Sequence, residues 1–214
     1  AAGWGVRAVG RNPDKLLGRH WGHDPQVEVV RGDVFDLEGL KECLSGCRAA
    51  FYLVHSMNPE AADFSSADRV AARNMAGAAE AAGIERIIYL GGLGEEGEGL
   101  SHHLRSRHEV GEVLAAGSVP VTILRAAMII GSGSASFEIM RYLVERLPVM
   151  VTPRWVSTRC QPIGVQNVLT YLARCLEVPE TAGRDLDIGG SDVMTYAEIM
   201  QEMAAVRGLR RRRI

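Results

Sequence analysis

Short apolar runs alternate with amphipathic stretches along most of the chain. Branched and aromatic residues dominate the short runs, and this pattern predicts β-strands. The predicted strands cover residues 6–9, 27–30, 49–54, 86–90 and 119–124, the last extended by 126–130. Capping residues and glycines delimit predicted helices at 37–44, 61–82 and 101–116. Because parallel strands need crossover connections, this alternation predicts an α/β fold with a mostly parallel sheet.

The last third of the chain predicts a smaller, mainly helical region. Apolar spacing predicts helices at 137–147, 165–176 and 196–206, and a short strand at 186–188. We therefore expect a core of residues 1–132 and a smaller lobe of residues 133–214 packed on it. The run AAFYLV at 49–54 is almost entirely apolar, which is typical of a strand covered on both faces.

Composition and charge narrow the classes of partner. The chain has 214 residues, is 47% hydrophobic and 23% charged, and carries a formal net charge of −2. This composition is typical of a globular protein. The small net charge produces no overall electrostatic field that would attract nucleic acid or an anionic membrane. No apolar run reaches the roughly 18 residues that span a bilayer. We expect a cytoplasmic protein.

Two local clusters of residues have alternative interpretations. The four cysteines are few, which favours free thiols; Cys43 and Cys47 stand one helical turn apart, but a metal pair would need partner ligands that the sequence does not place nearby.

The chain ends in RGLRRRRI. A basic tail for nucleic acid is one interpretation, and we prefer an arginine-rich lead into a further strand.

A family resemblance rests on several segments in a fixed order. The segments RNP, GDV, YLVHSM, IIYLGGLG, SRHEVGEVL and ILRAAMIIG, with their spacing, resemble the atypical short-chain dehydrogenase/reductases, including NmrA-like and related NAD(P)-binding proteins. The resemblance covers about residues 5–203. It implies a Rossmann-type, doubly wound sheet with helices on both faces and a small C-terminal substrate lobe.

The chain departs from this family at its start. The glycine-rich turn that brings backbone N–H groups to the pyrophosphate is absent, and the opening AAGWG resembles the end of the helix that follows that turn. A first strand would lie between strands 6–9 and 49–54. Its absence predicts a gap of roughly 10 Å and two unpaired strand edges. We therefore hypothesise that the chain is a fragment of a longer reading frame.

The resemblance also implies residues that hold the cofactor. Arg11, helped by Asn12, would bind the 2′-phosphate of NADP, because a guanidinium offers paired donors in one plane; an acid here would favour NAD. Asp33 and Val34 would contact the adenine amino group. An equal alternative for Asp33 is a turn residue that caps a loop.

Further cofactor residues follow the next two strands. Val54, His55 and Ser56 would contact the ribose or the pyrophosphate at the carboxyl edge of the sheet. Gly91 begins a glycine-rich turn that leaves room for a flat ring. The segment GSGS at 131–134 lacks the spacing of the missing turn and is expected to line the substrate side.

The catalytic positions depart from the family pattern. Where related enzymes place Tyr-x-x-x-Lys, this chain has His103 and Arg107, which share one helix face. A histidine exchanges protons near neutral pH, whereas arginine holds hydroxyl groups without releasing a proton. The alternative is an exposed polar helix face. Two hypotheses follow: an NADP-dependent oxidoreductase acting on a small organic substrate, with NAD as the other possible cofactor, and a non-catalytic NAD(P)-binding regulatory or structural protein.

Overall fold

The computed structural model describes residues 3–54, 64–94, 102–150, 154–210 and 212–213. The chain divides into two compact units. The first contains Ala1–Gly91, Glu96–Ile123 and Val178–Arg184, and the second contains Gly92–Glu95, Leu124–Glu177 and Asp185–Ile214.

The first unit consists of strands that alternate with helices. Its elements are β1 (Val6–Gly10), α1 (Pro13–Leu17), β2 (Val27–Arg31), α2 (Leu37–Leu44), β3 (Ala49–Tyr52), α3 (Phe64–Ala81), β4 (Arg86–Gly92), α4 (His102–Ala115) and the first half of β5 (Val121–Ala126). The pairs β1–β2 and β3–β4 are both parallel. The α/β class and the parallel pairing agree with the sequence prediction.

The second unit is built from short strands and three helices. Its elements are β6 (Met128–Ile130), α5 (Ala135–Arg146), β7 (Val149–Met150), β8 (Arg159–Cys160), β9 (Pro162–Gly164), α6 (Val165–Arg174), β10 (Asp185–Ile188), β11 (Met194–Thr195), α7 (Tyr196–Val206) and β12 (Arg212–Arg213). Strands β6 and β9 pair in parallel, and β8 and β11 pair antiparallel.

An apolar core joins most elements of the first unit. It joins residues of α2, β3, α3, β4, α4 and β5. The alanine-rich face of α3 contributes Ala72, Ala78 and Ala79, which have no exposed surface. Because alanine side chains are small, α3 packs closely against its neighbours without losing rotamer entropy on burial.

Two strand edges lack a partner, as the sequence predicts. Strand β1 pairs with β2 in a two-stranded sheet, whereas β3 pairs with β4 at the end of a separate sheet. Within the described ranges neither β1 nor β3 has a strand on its other edge. Val6, Phe51 and Leu53 are correspondingly 48%, 41% and 52% exposed.

This arrangement corrects one expectation about residues 49–54. The apolar run predicted a strand covered on both faces, but Ala50 and Tyr52 are buried while Phe51 and Leu53 are exposed. The strand also ends at Tyr52 rather than at Val54. A strand that pairs on one side alone is less covered than a central strand, and an apolar sequence does not reveal which position it will have.

Two further segments differ from the prediction. Helix α1 was not predicted, because its five residues are too few to show a helical period; Asn12 caps it and Pro13 occupies its first turn. The arginine-rich end does not merely lead into a strand. Arg212–Arg213 themselves form β12, which pairs in parallel with Val149–Met150.

Among the described residues, no helix combines the length and the hydropathy that crossing a bilayer requires.

Candidate cofactor-binding site

Arg11 and Asp33 lie at the same edge of the β1–β2 sheet. The parallel register pairs Gly10 with Arg31, and the Gly32 amide donates a hydrogen bond to the Gly10 carbonyl at 3.1 Å. Arg11 and Asp33 are the residues that follow Gly10 and Gly32, directly beyond this last hydrogen bond. Because parallel strands end on the same side, the structure brings these two predicted residues together at a carboxyl edge.

Gly32 is packed too tightly to carry a side chain. A Cβ atom at this position would lie 2.6 Å from Val9 Cγ1 and 2.9 Å from Cys43 Sγ. These distances are far shorter than ordinary carbon contacts of about 3.5–4.0 Å. The glycine therefore allows β2 to lie against α2 where the strand leads into the loop with Asp33.

Local hydrogen bonds already use two of the predicted cofactor residues. Asn12 Oδ1 accepts the Asp14 amide at 3.1 Å and thereby caps α1. Asp33 Oδ1 accepts the Phe35 amide at 3.1 Å, which is the turn role considered as its alternative. This hydrogen bond uses only one oxygen of the carboxylate, and the second can still accept a hydrogen bond. The contact of Asp33 with adenine therefore stays a prediction.

Val34 is fixed by a residue that the sequence did not indicate. Its carbonyl oxygen accepts a hydrogen bond from Asn74 Nδ2 of α3 at 3.0 Å. The Val34 side chain is partly buried against the core of the first unit. The only feature of the sequence that distinguishes Asn74 is its amide side chain within the alanine-rich stretch of α3. Its partner Val34 is 40 residues away in sequence.

The edge of β3 and β4 places a second pair of predicted residues. Tyr52 pairs with Tyr89 in parallel register, and continuing that register by two residues places Val54 opposite Gly91. Val54 is 44% exposed and Gly91 is half-buried. His55 and Ser56, which the sequence predicts to contact the cofactor, lie outside the described residues.

Helix α4 brings Arg107 to the end of β4. Arg107 Nη1 donates to the Leu90 carbonyl at 3.3 Å, one residue before Gly91. The Tyr89 hydroxyl donates to the Arg107 carbonyl at 3.1 Å. These two hydrogen bonds connect the helix and the strand in both directions. His103 lies in the same helix, and its side chain lies outside what the structure describes.

Buried polar groups surround Arg107. Burial raises the pKa of Tyr89 and of Tyr52, which keeps both phenols neutral up to a higher pH than a free tyrosine. The buried Ser106 hydroxyl donates to Asp68 Oδ2 at 2.8 Å and joins α4 to α3. Because a buried donor without a partner is costly, this hydrogen bond helps fix the helix that carries Arg107.

The described part of the chain contains no cluster of side chains suited to bind a metal ion. Among those residues no group of three or more histidine, cysteine, aspartate or glutamate side chains could hold a metal ion. Cys43 and Cys47 are free cysteines, of which Cys43 is buried. Desolvation raises the pKa of the Cys43 thiol, which favours the neutral form rather than the thiolate that binds metals.

Comparison with known proteins defines the class. An α/β chain with parallel strands and charged residues at their carboxyl edges has the architecture of the Rossmann-type NAD(P)-binding proteins. The profile of the NAD(P)H-binding family matches residues 1–143, and the chain belongs to this family. The predicted resemblance to atypical short-chain dehydrogenase/reductases is confirmed.

Solved structures show the same fold at low sequence identity. A triphenylmethane reductase from Citrobacter sp., complexed with NADP(H), superposes with a TM-score of 0.76 at 20% identity, over 97% of this chain and 68% of its own. A dTDP-glucose 4,6-dehydratase from Streptomyces venezuelae, with NAD bound, gives a TM-score of 0.78 at 17% identity, over 98% of this chain and 74% of its own. Both NADP and NAD therefore occur among proteins of this fold.

One relative is described by a role in assembly. The photosystem II assembly factor Ycf39 of Trieres chinensis is 24% identical over 202 residues. The alignment covers 92% of this chain, and the chain spans 60% of the length of that relative.

Proposed function

We propose that this protein is an NADP-dependent oxidoreductase that acts on a small organic substrate. The observation that supports it best is the exposed guanidinium of Arg11 at the shared carboxyl edge of β1 and β2. A guanidinium matches a phosphate group through paired planar donors, and the family binds NAD(P)H. When bound, the nicotinamide cofactor supplies the hydride.

The chain's own residues have distinct roles in this proposal. Arg11 binds the 2′-phosphate, while the free oxygen of Asp33 accepts from the adenine amino group. Val54 and Gly91, with His55 and Ser56, line the path of the ribose and pyrophosphate. Arg107 holds a hydroxyl group near the end of β4, and His103, one helical turn earlier, exchanges the proton.

The preference for NADP is tested by one substitution. Arg11→Ala should weaken NADPH binding about 10- to 100-fold, because charge-assisted hydrogen bonds to the phosphate are lost. NADH binding should change far less. Dissociation constants from nucleotide fluorescence measure both effects, and equal losses for the two nucleotides would contradict the assignment of NADP.

A non-catalytic NAD(P)-binding protein is the second candidate function. The histidine and arginine at the positions of the catalytic tyrosine and lysine favour it, and the relative Ycf39 is described as an assembly factor. Its output would be redox sensing or a structural role in an assembly.

Turnover distinguishes the two functions. The oxidoreductase should consume NADPH with at least one member of a panel of small carbonyl compounds, and His103→Ala should lower that rate about 100-fold or more. Absorbance at the wavelength of the reduced nicotinamide follows the reaction. Tight NADPH binding without consumption, unchanged by His103→Ala, would select the non-catalytic function.

A further inference from the structure

The last residue of β2 brings a second guanidinium to the edge where Arg11 lies. Arg31 pairs with Gly10 in the parallel register, and Arg11 directly follows Gly10. Neighbouring strands lie about 4.8 Å apart, so the backbones of Arg11 and Arg31 are separated by little more than the width of a phosphate group. No local sequence pattern indicates this proximity, because the two residues are distant in sequence.

Strand geometry sets the direction of the Arg31 side chain. Side chains alternate across a strand, so Arg31 shares the sheet face of its paired residue Gly10. A Cβ atom at Gly10 would lie 3.0 Å from Leu16 Cδ1, which shows that α1 covers this face. Helix α1 begins at Pro13, two residues after Arg11. Arg31 therefore points to the sheet face that α1 covers, and its paired residue Gly10 directly precedes Arg11.

The charges of these two arginines are not neutralised locally. Arg11 and Arg31 are both exposed. Among the described side chains, no carboxylate forms an ion pair with either of them, whereas Arg7 of β1 pairs with Glu28 at 2.7 Å. Two exposed guanidiniums at one strand edge repel each other, and an anion between them removes that repulsion.

We propose that Arg31 is a second specificity-determining residue, which binds the 2′-phosphate of NADP together with Arg11. This inference rests on the proposed NADP-dependent function. Two planar guanidiniums satisfy more of the three phosphate oxygens than one does, and together they balance the nearly double negative charge that a phosphomonoester carries at pH 7. NADH lacks this group and gains nothing from Arg31.

Nucleotide binding by matched variants tests the role of Arg31. Arg31→Gln removes the charge, Arg31→Lys keeps it, and Arg19→Gln removes an equal charge from the connection beyond α1, away from the carboxyl edge. Dissociation constants for NADPH, NADH, adenosine 2′,5′-bisphosphate and 5′-AMP are measured by calorimetry at low and high salt. Thermal melting confirms that each variant is folded.

The expected pattern is specific to the phosphate. Arg31→Gln should weaken NADPH and the bisphosphate about tenfold and should change NADH and 5′-AMP less than about twofold. Arg31→Lys should retain most of the preference, and Arg19→Gln should leave it unchanged. High salt should reduce the preference for NADPH over NADH more in the wild type than in Arg31→Gln. The variant has one fewer charged contact with the phosphate for salt to screen.

Two different failures are separable. If Arg31→Gln weakens NADPH and NADH equally, or neither, while Arg11→Ala still acts on NADPH alone, the role of Arg31 is overturned and the proposed function stands. If the wild-type protein binds NADPH no better than NADH, or binds neither, both the proposed NADP function and the role of Arg31 are overturned.

Discussion

Arg7 shows how one side chain joins three parts of the first unit. Its Nη1 donates to the carbonyls of Cys43 and Ser45, at 3.0 and 2.7 Å, and its Nε donates to Glu28 Oε2 at 2.7 Å. The carbonyls at the end of a helix lack partners within the helix and form the negative end of its dipole. Arg7 therefore anchors the end of α2 to β1, whereas Arg11, four residues later, remains exposed.

The stability of the first unit should depend on Arg7. Arg7→Met keeps much of the side-chain volume but removes both carbonyl contacts, and we expect a loss of about 1–2 kcal/mol in the free energy of unfolding. Urea denaturation measures it. Arg48→Met is the matched control, because Arg48 Nε also lies 2.7 Å from a glutamate oxygen, that of Glu85, in a more exposed ion pair. That control should lose less than about 1 kcal/mol, and equal losses would contradict the role assigned to the carbonyls.

Helix α7 begins with a complete capping box. Thr195 Oγ1 accepts the Glu198 amide at 3.2 Å, and Glu198 Oε2 accepts the Thr195 amide at 2.7 Å. Both hydrogen bonds satisfy backbone donors that the first turn of a helix leaves without partners. The helix then buries Ala197, Ile199 and Met200 in the core of the second unit. Its start is thus defined by local hydrogen bonds as well as by packing.

Removing the cap should destabilise the second unit. Thr195→Ala is expected to lower the free energy of unfolding by about 1 kcal/mol, because the Glu198 amide loses its acceptor. Thr170→Ala is a suitable control, since Thr170 lies within α6 and bonds the Gln166 carbonyl of its own helix. Alanine there should be neutral or slightly stabilising. A cap variant as stable as the wild type in urea denaturation would show that packing alone defines the start of α7.

The sequence predicted elements well where a cap or a long period marks them. Helices α2 and α7 have the predicted bounds, because Asp36 and Thr195 cap sequences with clear apolar faces. The two-residue strands β7 and β12 were missed, since a ladder this short has no period. At the site, the shared edge of Arg11 and Asp33 followed from parallel strands. The contacts of Asn74 and Arg7 could not be predicted, because their partners are far away in sequence and no local pattern links them.

At the scale of the whole molecule, buried phenols make stability depend on pH. The rings of Tyr52 and Tyr89 lie 6.0 Å apart between their centroids, and both side chains are almost fully buried in the core of the first unit. Burial raises both pKa values above that of a free tyrosine. The folded state therefore keeps its protons to a higher pH than the unfolded chain does, and ionisation of the unfolded chain favours unfolding above about pH 10.

Stability should accordingly be constant with respect to these groups below about pH 9 and should fall at higher pH. Replacing both Tyr52 and Tyr89 by phenylalanine should flatten that fall, although it lowers stability at neutral pH through the lost Tyr89 hydrogen bond. Urea denaturation between pH 7 and pH 11 provides the measurement, with Tyr142→Phe at an exposed position as the control. If the double variant has the wild-type slope, other groups cause the alkaline loss.

The close packing at Gly32 affects how an alignment of relatives should be interpreted. Any replacement of Gly32 by another residue adds at least a methyl group, and here that group would collide with Val9 and Cys43. Selection should therefore keep glycine at this position whether or not a nucleotide is ever bound. Invariance at position 32 would record the contact between strand and helix, while variation at Arg11 and Arg31 between relatives that use NADP and NAD would carry the information about the cofactor.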